Sequence, residues 1–273
     1  MPKCKKCGKW TLFQKLNSDG LCKKCEEEVI KSKRLKIQME KQNLAYKELD
    51  NLPSFQIALC NIKRKRRSLS ELTNIRFSNI TQKGNYDDFV TIDTETTGLS
   101  VAKNKIIEIG AIRFHKEKPI SQFHTLINPQ TPIPPEASQI NHIYYADVKN
   151  APAIYQVLPS LEDFVKDSNI VGHNLIFDLK FITKAGSNLI DTKRKYYCTL
   201  KQSEKILKHP KMKWDKEFES YEPDYTCDYD VEDYKLNTLC SYYNIIIPRQ
   251  HRATSDAIAT GKLFLKLINE KQE

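Results

Sequence analysis

From Tyr86 onward, the chain repeats short runs in which β-branched and aromatic residues predominate. Three such runs follow one another: DDFVTIDTETTGL, IIEIGAIRF and FHTLINP. Runs of this length and composition are typical of β strands, whose apolar side chains pack on a pleated surface. The pattern therefore predicts three consecutive strands at the start of the C-terminal two-thirds of the chain.

The period of the pattern then changes, and helices alternate with two short strands. A Pro-rich stretch, TPIPPEASQIN, is expected to be a loop. AIYQVLPSLEDFVKD is predicted as a helix, NIVGHN as a buried strand, and IFDLKFITKAG as a helix ended by Gly186. KYYCTLKQSEKIL is predicted as a strand followed by a helix, and YKLNTLCSYYNI and RATSDAIATGKLFLKLIN as the last two helices. This order predicts an α/β domain with a mixed sheet. Residues 208–233 are polar and acidic, and we expect an insertion loop there.

The N-terminal third has three parts with different patterns. Residues 1–27 contain four cysteines and too few apolar positions to fold on a hydrophobic core. From Glu26 to about Asn51, the sequence lacks Gly and Pro and is rich in Glu, Lys and Leu, which predicts a solvated helix that ends at Pro53. Residues 54–85 carry the basic run KRKRR between short apolar stretches, and their pattern predicts no element.

The net charge of +10 is distributed unevenly. Residues 1–85 carry 20 Lys and Arg against 8 Asp and Glu, whereas residues 86–273 carry 24 against 26. A basic arm joined to a slightly acidic domain suits a tether that binds a polyanion beside a catalytic unit that binds cations. Lysines that only keep an exposed helix in solution explain the same charge equally well.

The composition also limits the class of protein. An apolar content of 40% and an aromatic content of 10% fit a globular enzyme. No apolar run approaches the roughly 20 residues of a membrane span, and the N-terminus MPKCKKCGKW lacks an apolar signal core. We therefore expect a cytoplasmic protein without a membrane partner. Eight cysteines, four of them within the first 25 residues, indicate metal ligands in a reducing compartment.

The N-terminal cysteines form two identical CKKC pairs, Cys4 with Cys7 and Cys22 with Cys25, separated by 14 residues. This spacing matches two knuckles that donate four thiolates to one tetrahedral Zn²⁺ ion. Four unrelated reduced cysteines would leave the repeated pair unexplained, and no βαβ pattern supports a redox dithiol. We predict a zinc-ribbon-like module in residues 1–27 with one structural Zn²⁺, which contacts nucleic acid or docks to a protein.

Asp93 and Glu95 are separated by one residue within a predicted strand. Because side chains alternate across a strand, both carboxylates project from one face, where they repel each other. A divalent cation would neutralise the pair, and ligands that are all oxygen favour Mg²⁺ or Mn²⁺ over zinc. Solvated acids at the end of a strand are the simpler explanation when this pair is considered alone.

Three separated segments together resemble the motifs of the DEDDh 3′→5′ exonuclease superfamily, which includes the epsilon proofreading subunit of bacterial DNA polymerase III, RNase T and oligoribonuclease. DTETTGL resembles the first motif, GHNLIFDLKFI the second and HRATSDA the third. Two connecting segments resemble the polymerase-associated branch. The resemblance covers residues 86–270 and implies a ribonuclease-H-like fold, with a mixed sheet flanked by helices.

The resemblance also implies roles for five residues and two divalent ions, Mg²⁺ or Mn²⁺. Asp93 would bridge both ions. Glu95 and Asp256 would complete the first site, and Asp178 would serve the second. His251, five residues before Asp256, would act as the general base that takes a proton from the attacking water, a task that suits an imidazole near neutral pH. The histidine also selects this branch over the related one that uses a tyrosine.

Six further residues lie at positions where members of this superfamily hold the terminal nucleotide: Thr96, Thr97, Gly98, Leu99, His173 and Asn174. A turn after a strand explains Thr and Gly equally well, and Asn174 is also a good helix N-cap. His142 lies where relatives often have His-Gly, whereas this chain has Asn141-His142. The resemblance therefore assigns no substrate contact to His142.

Residues 86–273 are thus predicted to form an exonuclease domain, preceded by a basic, partly helical linker over residues 28–85. The expected reaction releases nucleoside monophosphates from the 3′ end of single-stranded or frayed DNA, in DNA replication or repair. An exoribonuclease of the RNase T or oligoribonuclease type uses the same five residues, so RNA is the alternative substrate. A nucleic-acid-binding or polymerase-docking adaptor with a vestigial nuclease fold is the alternative from another class. The expected partners are nucleic acid and a DNA polymerase or another replication or repair protein.

Overall fold

The structure is a computed structural model, and it describes residues 3–9, 16–62, 64–81, 84–191, 193–215 and 219–270. The chain forms two compact units, Met1–Lys47 and Glu48–Glu273. The smaller unit contains the four N-terminal cysteines, and the larger unit contains the sheet with all of the predicted exonuclease residues. Lys63 of the basic run lies outside the described residues.

One five-stranded sheet forms the centre of the larger unit. Its strands are Asp88–Thr96 (β1), Ile106–His115 (β2), Lys118–Leu126 (β3), Asn169–Gly172 (β4) and Tyr196–Cys198 (β5). The order across the sheet is β3-β2-β1-β4-β5. β1 pairs antiparallel with β2 and parallel with β4, so the predicted mixed sheet of an α/β domain is confirmed. β1, which carries the first motif, occupies the middle of the sheet.

Helices flank this sheet and also occupy the N-terminal third. Their bounds are Lys23–Asp50 (α1), Pro135–Asn141 (α2), Tyr145–Val148 (α3), Ile154–Val165 (α4), Ile176–Lys184 (α5), Thr199–Ile206 (α6), Leu236–Tyr242 (α7) and Ala253–Glu270 (α8), with a 3₁₀ helix over Leu69–Asn74. α1 confirms the predicted solvated helix, since its apolar side chains Leu35, Ile37 and Leu44 are exposed. Within the described part of the chain, no helix combines the length and apolar composition of a membrane span.

Apolar side chains cover both faces of the sheet. On one face, the rings of Phe89 and Phe114 stack with centroids 4.8 Å apart, and Phe264 of α8 meets Phe89 edge-on at 5.1 Å. On the other face, Phe123 packs against Phe164 of α4 at 5.7 Å. Burial of each such ring stabilises the fold by about 1.5–3 kcal/mol. The two layers together fix the position of β1.

The segment TPIPPEASQIN, predicted as a loop, contains a short helix instead. α2 begins at Pro135, and His142 closes it with a left-handed backbone of φ 55°. Proline is well tolerated in the first turn of a helix, because its φ is already helical and an N–H there would have no helical partner. The prolines that suggested a loop therefore mark the start of a helix.

The described residues of the segments 52–62 and 64–81 belong to the larger unit and lie largely outside regular secondary structure. Phe55 meets Phe164 edge-on, with ring centroids 5.4 Å apart. Farther along, Phe77 forms an isolated parallel bridge with Tyr196. Single aromatic residues therefore attach this segment to the helical and sheet layers.

The acidic insertion over residues 208–233 contains a two-stranded hairpin, which the sequence did not predict. β6 (Lys211–Asp215) pairs antiparallel with β7 (Ser220–Asp224), and Trp214 lies opposite Tyr221. Cross-strand aromatic pairs stabilise such hairpins. The many charges between the aromatic residues hid the alternation that marks a strand.

Candidate active site

The carboxylates of Asp93, Glu95 and Asp256 come together at the end of β1. Asp93 and Glu95 lie two residues apart on this strand, so both side chains leave the same face of the sheet. Asp256 lies near the start of α8 and is 8% exposed. One oxygen atom from each of the three carboxylates lies within 4.8 Å of the other two. The structure thus groups three of the four predicted metal ligands.

A glycine in the neighbouring strand leaves room for α8 beside these acids. Gly110 of β2 lies opposite Asp93, and a Cβ atom on Gly110 would be 2.2 Å from the backbone nitrogen of Thr254. That distance admits no side chain. The first turn of α8 can therefore approach the sheet closely enough for Asp256 to reach Asp93.

Asp178 lies in the first turn of α5 and lines the same cleft as the three grouped acids. It is 3% exposed. Its Oδ1 accepts hydrogen bonds from the backbone N–H of Thr94 at 2.9 Å and from the Thr94 hydroxyl at 2.7 Å. These bonds join α5 to β1 between Asp93 and Glu95. Asp178, from the second motif, therefore lies in the same cleft as Asp93 and Glu95 from the first motif.

Burial and crowding oppose the negative charges of these acids. Burial, reinforced by repulsion from Asp256, raises the pKa of Glu95 to about 8. Burial also raises the pKa of Asp178 and of Asp256 to about 7. The pKa of Asp93 rises as well, mainly through burial and then through repulsion from Asp178 and Asp256. The ionised forms of these acids are therefore disfavoured unless a cation balances their charge.

This set of ligand atoms fits hard divalent cations. The three converging groups are carboxylates, and oxygen donors of this kind suit Mg²⁺ or Mn²⁺. A bound cation would also remove the repulsion that raises the pKa values of the acids.

A buried ion pair beside the acids fixes the start of α8. Glu108 of β2 is fully buried and lies opposite Glu95 in the sheet. Its carboxylate accepts hydrogen bonds from the Arg252 guanidinium, the shortest 2.6 Å long, and from the N–H of Ala253 at 3.0 Å. His124 contacts the same carboxylate at 2.7 Å. Burial alone would raise the pKa of Glu108, but these hydrogen bonds outweigh it and lower the pKa to about 2.

His251 lies two residues before α8 and is exposed to the cleft. Its backbone is left-handed, with a φ of 55°, which is uncommon for residues other than glycine. Burial raises the pKa of Asp256, and the nearby backbone of His251 opposes this shift. Because Arg252 beside it is bound to Glu108, the loop that carries His251 is attached to the sheet.

The four acids and His251 line one open cleft of about 630 Å³. The remaining lining residues come from β1, the β4–α5 connection, α5, α6, the segment before α7 and the start of α7: Thr94, His173, Asn174, Phe177, Leu200, Tyr234, Lys235, Leu236 and Asn237. The Nδ1 atom of His173 lies 3.0 Å from the hydroxyl of Thr199. Burial lowers the pKa of His173 to about 4, so this ring is uncharged near neutral pH.

The residues after Glu95 form a tight turn. Thr96 donates its hydroxyl hydrogen to the carbonyl of Gly98 at 2.8 Å, and the side-chain amide of Asn104 donates to the carbonyl of Thr97 at 3.0 Å. Leu99 is 85% exposed. The described lining of the cleft does not include Thr96, Thr97, Gly98 or Leu99. These four candidates therefore follow the cleft in the chain without lining it.

The smaller unit brings Cys4, Cys7, Cys22 and Cys25 together. Their four sulfur atoms lie within 4.8 Å of one another, and all four cysteines are free. Hydrogen bonds from the backbone of Cys7 and Cys22 lower the pKa of Cys4 to about 6. Burial, followed by the neighbouring thiols, raises the pKa of Cys25 to about 12. Four sulfurs this close fit a tetrahedral Zn²⁺ ion, whose charge would favour the thiolate form of each.

Sequence reasoning missed the residues that support the site. Glu108 could have been found, because its carboxylate interrupts IIEIGAIRF, a run that otherwise has the composition of a buried strand. Arg252, its partner, stands inside the third motif but gave no separate signal. Tyr234 and Lys235 line the cleft from the end of the acidic insertion, where no pattern marked them.

Comparisons with known proteins place this geometry in a family. An exonuclease family model of the RNase T type matches residues 90–264. The PolC-type DNA polymerase III of Caldanaerobacter subterraneus is 33% identical over 187 residues, which cover 68% of this chain and 12% of that relative. The DNA polymerase III epsilon subunit of Treponema pallidum is 42% identical over 94 residues, or 34% of this chain and 44% of that subunit. The chain thus spans about an eighth of the length of the PolC-type relative.

Solved structures show the same fold. The E. coli exonuclease I in complex with a dT13 oligonucleotide covers 68% of this chain and 42% of its own, with a TM-score of 0.51 and 18% identity. A product-bound structure of exonuclease I covers 69% of this chain and 44% of its own, with a TM-score of 0.50 and 17% identity. At these identities the likeness concerns the fold alone. The predicted ribonuclease-H-like fold is confirmed.

We expect the substitution Glu108→Gln to lower the free energy of unfolding by about 3 kcal/mol at pH 7, because it removes a buried carboxylate that is stabilised in its ionised form and leaves the partly covered Arg252 guanidinium without its partner. The pKa of Glu108 lies below its ordinary value of 4.5, at about 2. Its ionised form therefore stabilises the fold above about pH 4.5, and this contribution disappears as the pH falls towards 2. Urea unfolding of the parent and the variant at several pH values measures the difference.

Glu117→Gln is the matched control, since Glu117 is exposed in the turn between β2 and β3. This change should alter the free energy of unfolding by less than about 0.5 kcal/mol. A Glu108→Gln variant as stable as the parent at pH 7 would contradict the assignment. So would a difference that grows as the pH falls.

Proposed function

The chain belongs to the exonuclease family of the RNase T type, and we propose that it releases nucleoside monophosphates from the 3′ end of single-stranded or frayed DNA. The observation that carries this proposal is the convergence of Asp93, Glu95 and Asp256 within 4.8 Å. These acids come from the first and third motifs, far apart in the chain. Asp178 and His251, which complete the predicted set, line the same cleft.

We assign two divalent ions, Mg²⁺ or Mn²⁺, to this cleft. Asp93 would bridge them. Glu95 and Asp256 would hold the first ion and Asp178 the second. Bound there, the ions would activate the attacking water and stabilise the charge that develops on the leaving 3′ oxygen. The raised pKa values of these acids support the assignment, because acids that repel each other in a buried site keep their charge best beside a cation.

His251 is the proposed general base, which accepts a proton from the attacking water. Its position supports this role, because His251 is exposed and lines the same cleft as the four acids. The ion pair of Arg252 with Glu108 restrains the loop that carries His251, so this loop needs little further ordering at each turnover. His173, which burial keeps neutral, would orient the substrate by a hydrogen bond without adding charge.

The terminal nucleotide is proposed to lie across the cleft. The residues assigned to it are Thr96, Thr97, Gly98, Leu99, His173 and Asn174. Leu99 supports the assignment because its apolar side chain is exposed in the turn after β1, where a base could cover it. Phe177 and Tyr234 add aromatic rings to the cleft, and bases stack readily on such rings.

The relatives support DNA as the substrate and a DNA polymerase as a partner. Two relatives similar in sequence are named as a PolC-type DNA polymerase III and as a DNA polymerase III epsilon subunit. We therefore propose a role in DNA replication or repair, with a polymerase or another replication or repair protein as partner, and a cytoplasmic location.

In the smaller unit, we assign one structural Zn²⁺ to Cys4, Cys7, Cys22 and Cys25. The proximity of four thiols in a segment with few apolar residues supports this assignment. The proposed organisation of the chain is a zinc-binding module over residues 1–27, a basic and partly helical linker over 28–85, and the exonuclease domain over 86–273.

A gel assay with 5′-labelled single-stranded DNA and RNA of one sequence tests the proposed reaction. With Mg²⁺ or Mn²⁺, we expect a descending ladder on DNA that EDTA abolishes. Asp93→Asn should reduce the rate about a thousandfold or more, because the loss of a bridging ligand removes several kcal/mol of stabilisation from the transition state.

Asp88→Asn is the matched control, since Asp88 is an exposed acid at the other end of β1. This variant should cleave at the parent rate. A stronger ladder on RNA than on DNA would favour the exoribonuclease alternative. Binding without cleavage by the parent would support the adaptor with a vestigial nuclease fold.

His251→Gln should lower the turnover number by about 10²–10⁴, which is the usual contribution of a general base. The affinity for Mn²⁺, measured by calorimetry, should change less than about threefold because the carboxylates bind the ions. His115→Gln, which alters an exposed histidine at the end of β2, serves as the control and should keep the parent turnover. A His251→Gln variant with normal turnover would remove the proposed base.

Cys4→Ser should reduce the zinc content of the purified chain from about one ion to well below one, measured by elemental analysis, since one of four thiolates is lost. The thermal unfolding of the smaller unit should shift to lower temperature. Cys60→Ser, which alters a cysteine outside the cluster, should keep the full zinc content. An unmodified parent chain that contains no zinc would contradict the assignment.

A further inference from the structure

A second cavity lies in the larger unit, lined by residues other than those of the carboxylate cleft. Its volume is about 370 Å³, within the range of small-ligand pockets. None of the described residues that line it is Asp or Glu. Five of its lining residues are basic, and we call the cavity the basic pocket: Arg64, Arg66, Lys103, Lys105 and Lys184.

Most of these charges are not neutralised by a carboxylate. Arg64 is the exception, because its guanidinium pairs with Glu162 at 2.5 Å. The ammonium groups of Lys105 and Lys184 donate hydrogen bonds to backbone carbonyls, which leave the positive charge in place. The basic pocket therefore attracts anions.

Arg66 belongs to the basic run, of which residues 64–67 are described and lie within the larger unit. Arg67, next to it, donates a hydrogen bond to the side-chain carbonyl of Asn188 at 2.8 Å. Arg66 and Lys103 are exposed, and within the described ranges neither forms an ion pair. Both side chains can therefore meet an incoming anion.

Apolar and aromatic side chains form the walls of the basic pocket: Ile106, Ile127, Ile154, Tyr155 and Phe181. Tyr155 is half-buried, so part of its ring faces solvent. Exposed cations beside an aromatic wall are the features that bind a nucleic-acid strand, whose phosphates meet the cations while a base stacks on the ring. An inorganic anion would make no use of the aromatic wall.

The basic pocket continues the carboxylate cleft along α5. Phe177 lines the cleft, Phe181 lines the basic pocket one turn later, and the centroids of their rings are 5.0 Å apart. A second connection runs through the turn after β1, where the N–H of Thr97 donates to the carbonyl of Lys105 at 2.9 Å. The basic pocket thus adjoins the residues proposed to hold the terminal nucleotide.

We propose that the basic pocket binds the single strand on the 5′ side of its terminal nucleotide. Arg66 and Lys103 contact backbone phosphates, and Tyr155 stacks with a base. Lys235 is the only Lys or Arg among the described residues that line the carboxylate cleft, whereas the basic pocket has five. The side-chain attraction for phosphates on the 5′ side of the terminal nucleotide therefore comes mainly from the basic pocket. This inference rests on the proposed exonuclease function and adds the path of the substrate to it.

The test is the binding of a 5′-fluorescein oligothymidine of 20 nucleotides, with phosphorothioate linkages at its 3′ end to prevent cleavage. In fluorescence anisotropy with the full chain, Arg66→Glu combined with Lys103→Glu should weaken binding at least about tenfold in low salt. The slope of log Kd against log salt should fall by about 1.4, since each phosphate contact contributes about 0.7 on a single strand. The affinity for thymidine 5′-monophosphate, measured by calorimetry, should change less than twofold, because a single nucleotide fills the cleft and has no neighbour on its 5′ side to reach the pocket.

The control combines Lys116→Glu with Lys118→Glu, the same change of charge at the far end of β2. This variant should bind the 20-mer within about twofold of the parent, since its charges lie about 30 Å along the strand from Ile106. Equal losses in both double variants, no loss in the first, or an equal loss for thymidine 5′-monophosphate would each overturn the proposal. A parent that binds the 20-mer but cleaves no DNA would refute the nuclease function and leave the strand-binding pocket supported.

Discussion

Repulsion among carboxylates packed at the end of a buried strand is the constraint on which the larger unit depends. Asp93, Glu95 and Asp256 lie within 4.8 Å of one another, and burial raises the pKa of each. Bringing them together costs free energy, which the surrounding packing has to offset. The ion pair of Glu108 with Arg252 contributes directly, because it fixes the start of α8 and so keeps Asp256 in place. The site is thus held by neighbours whose charges are fully paired, while its own charges stay available for cations.

Much of this arrangement could be predicted because local geometry or a motif fixes it. Asp93 and Glu95 share a face of any strand with this sequence, and the β-branched run around them indicates the strand. The mixed sheet follows from the order of strands and helices, but the central place of β1 does not. No local rule brings Asp178 or His251 to the cleft. Their positions were predicted through the resemblance of their motifs to those of the exonuclease superfamily. Contacts between distant segments depend on tertiary packing, which the spacing of apolar residues along the chain does not encode.

Other features escaped prediction for physical reasons. Glu108 needs a partner 144 residues away, and a strand pattern does not say which cation will cover a buried carboxylate. Residues 54–85 showed no period because their buried apolar side chains, such as Leu72 and Ile80, fill single gaps in a surface that other elements build, whereas Leu59 and Ile62 are exposed. Phe55 against Phe164 fills another such gap. α2 was hidden by prolines that break a helix in its interior but suit its first turn.

The uneven charge along the chain acquires a different meaning once the fold is known. A basic arm ahead of a slightly acidic domain suggested a tether that binds a polyanion, and a tether loses conformational entropy whenever it binds a strand. The structure instead fixes Arg64 on Glu162 and Arg67 on Asn188, and Arg66 stands between them on the larger unit. Cations held in this way bind phosphates at a smaller entropic cost than cations on a tether. The basic pocket can then attract the substrate while the adjoining carboxylate cleft hydrolyses it, because neither set of residues has to serve both tasks.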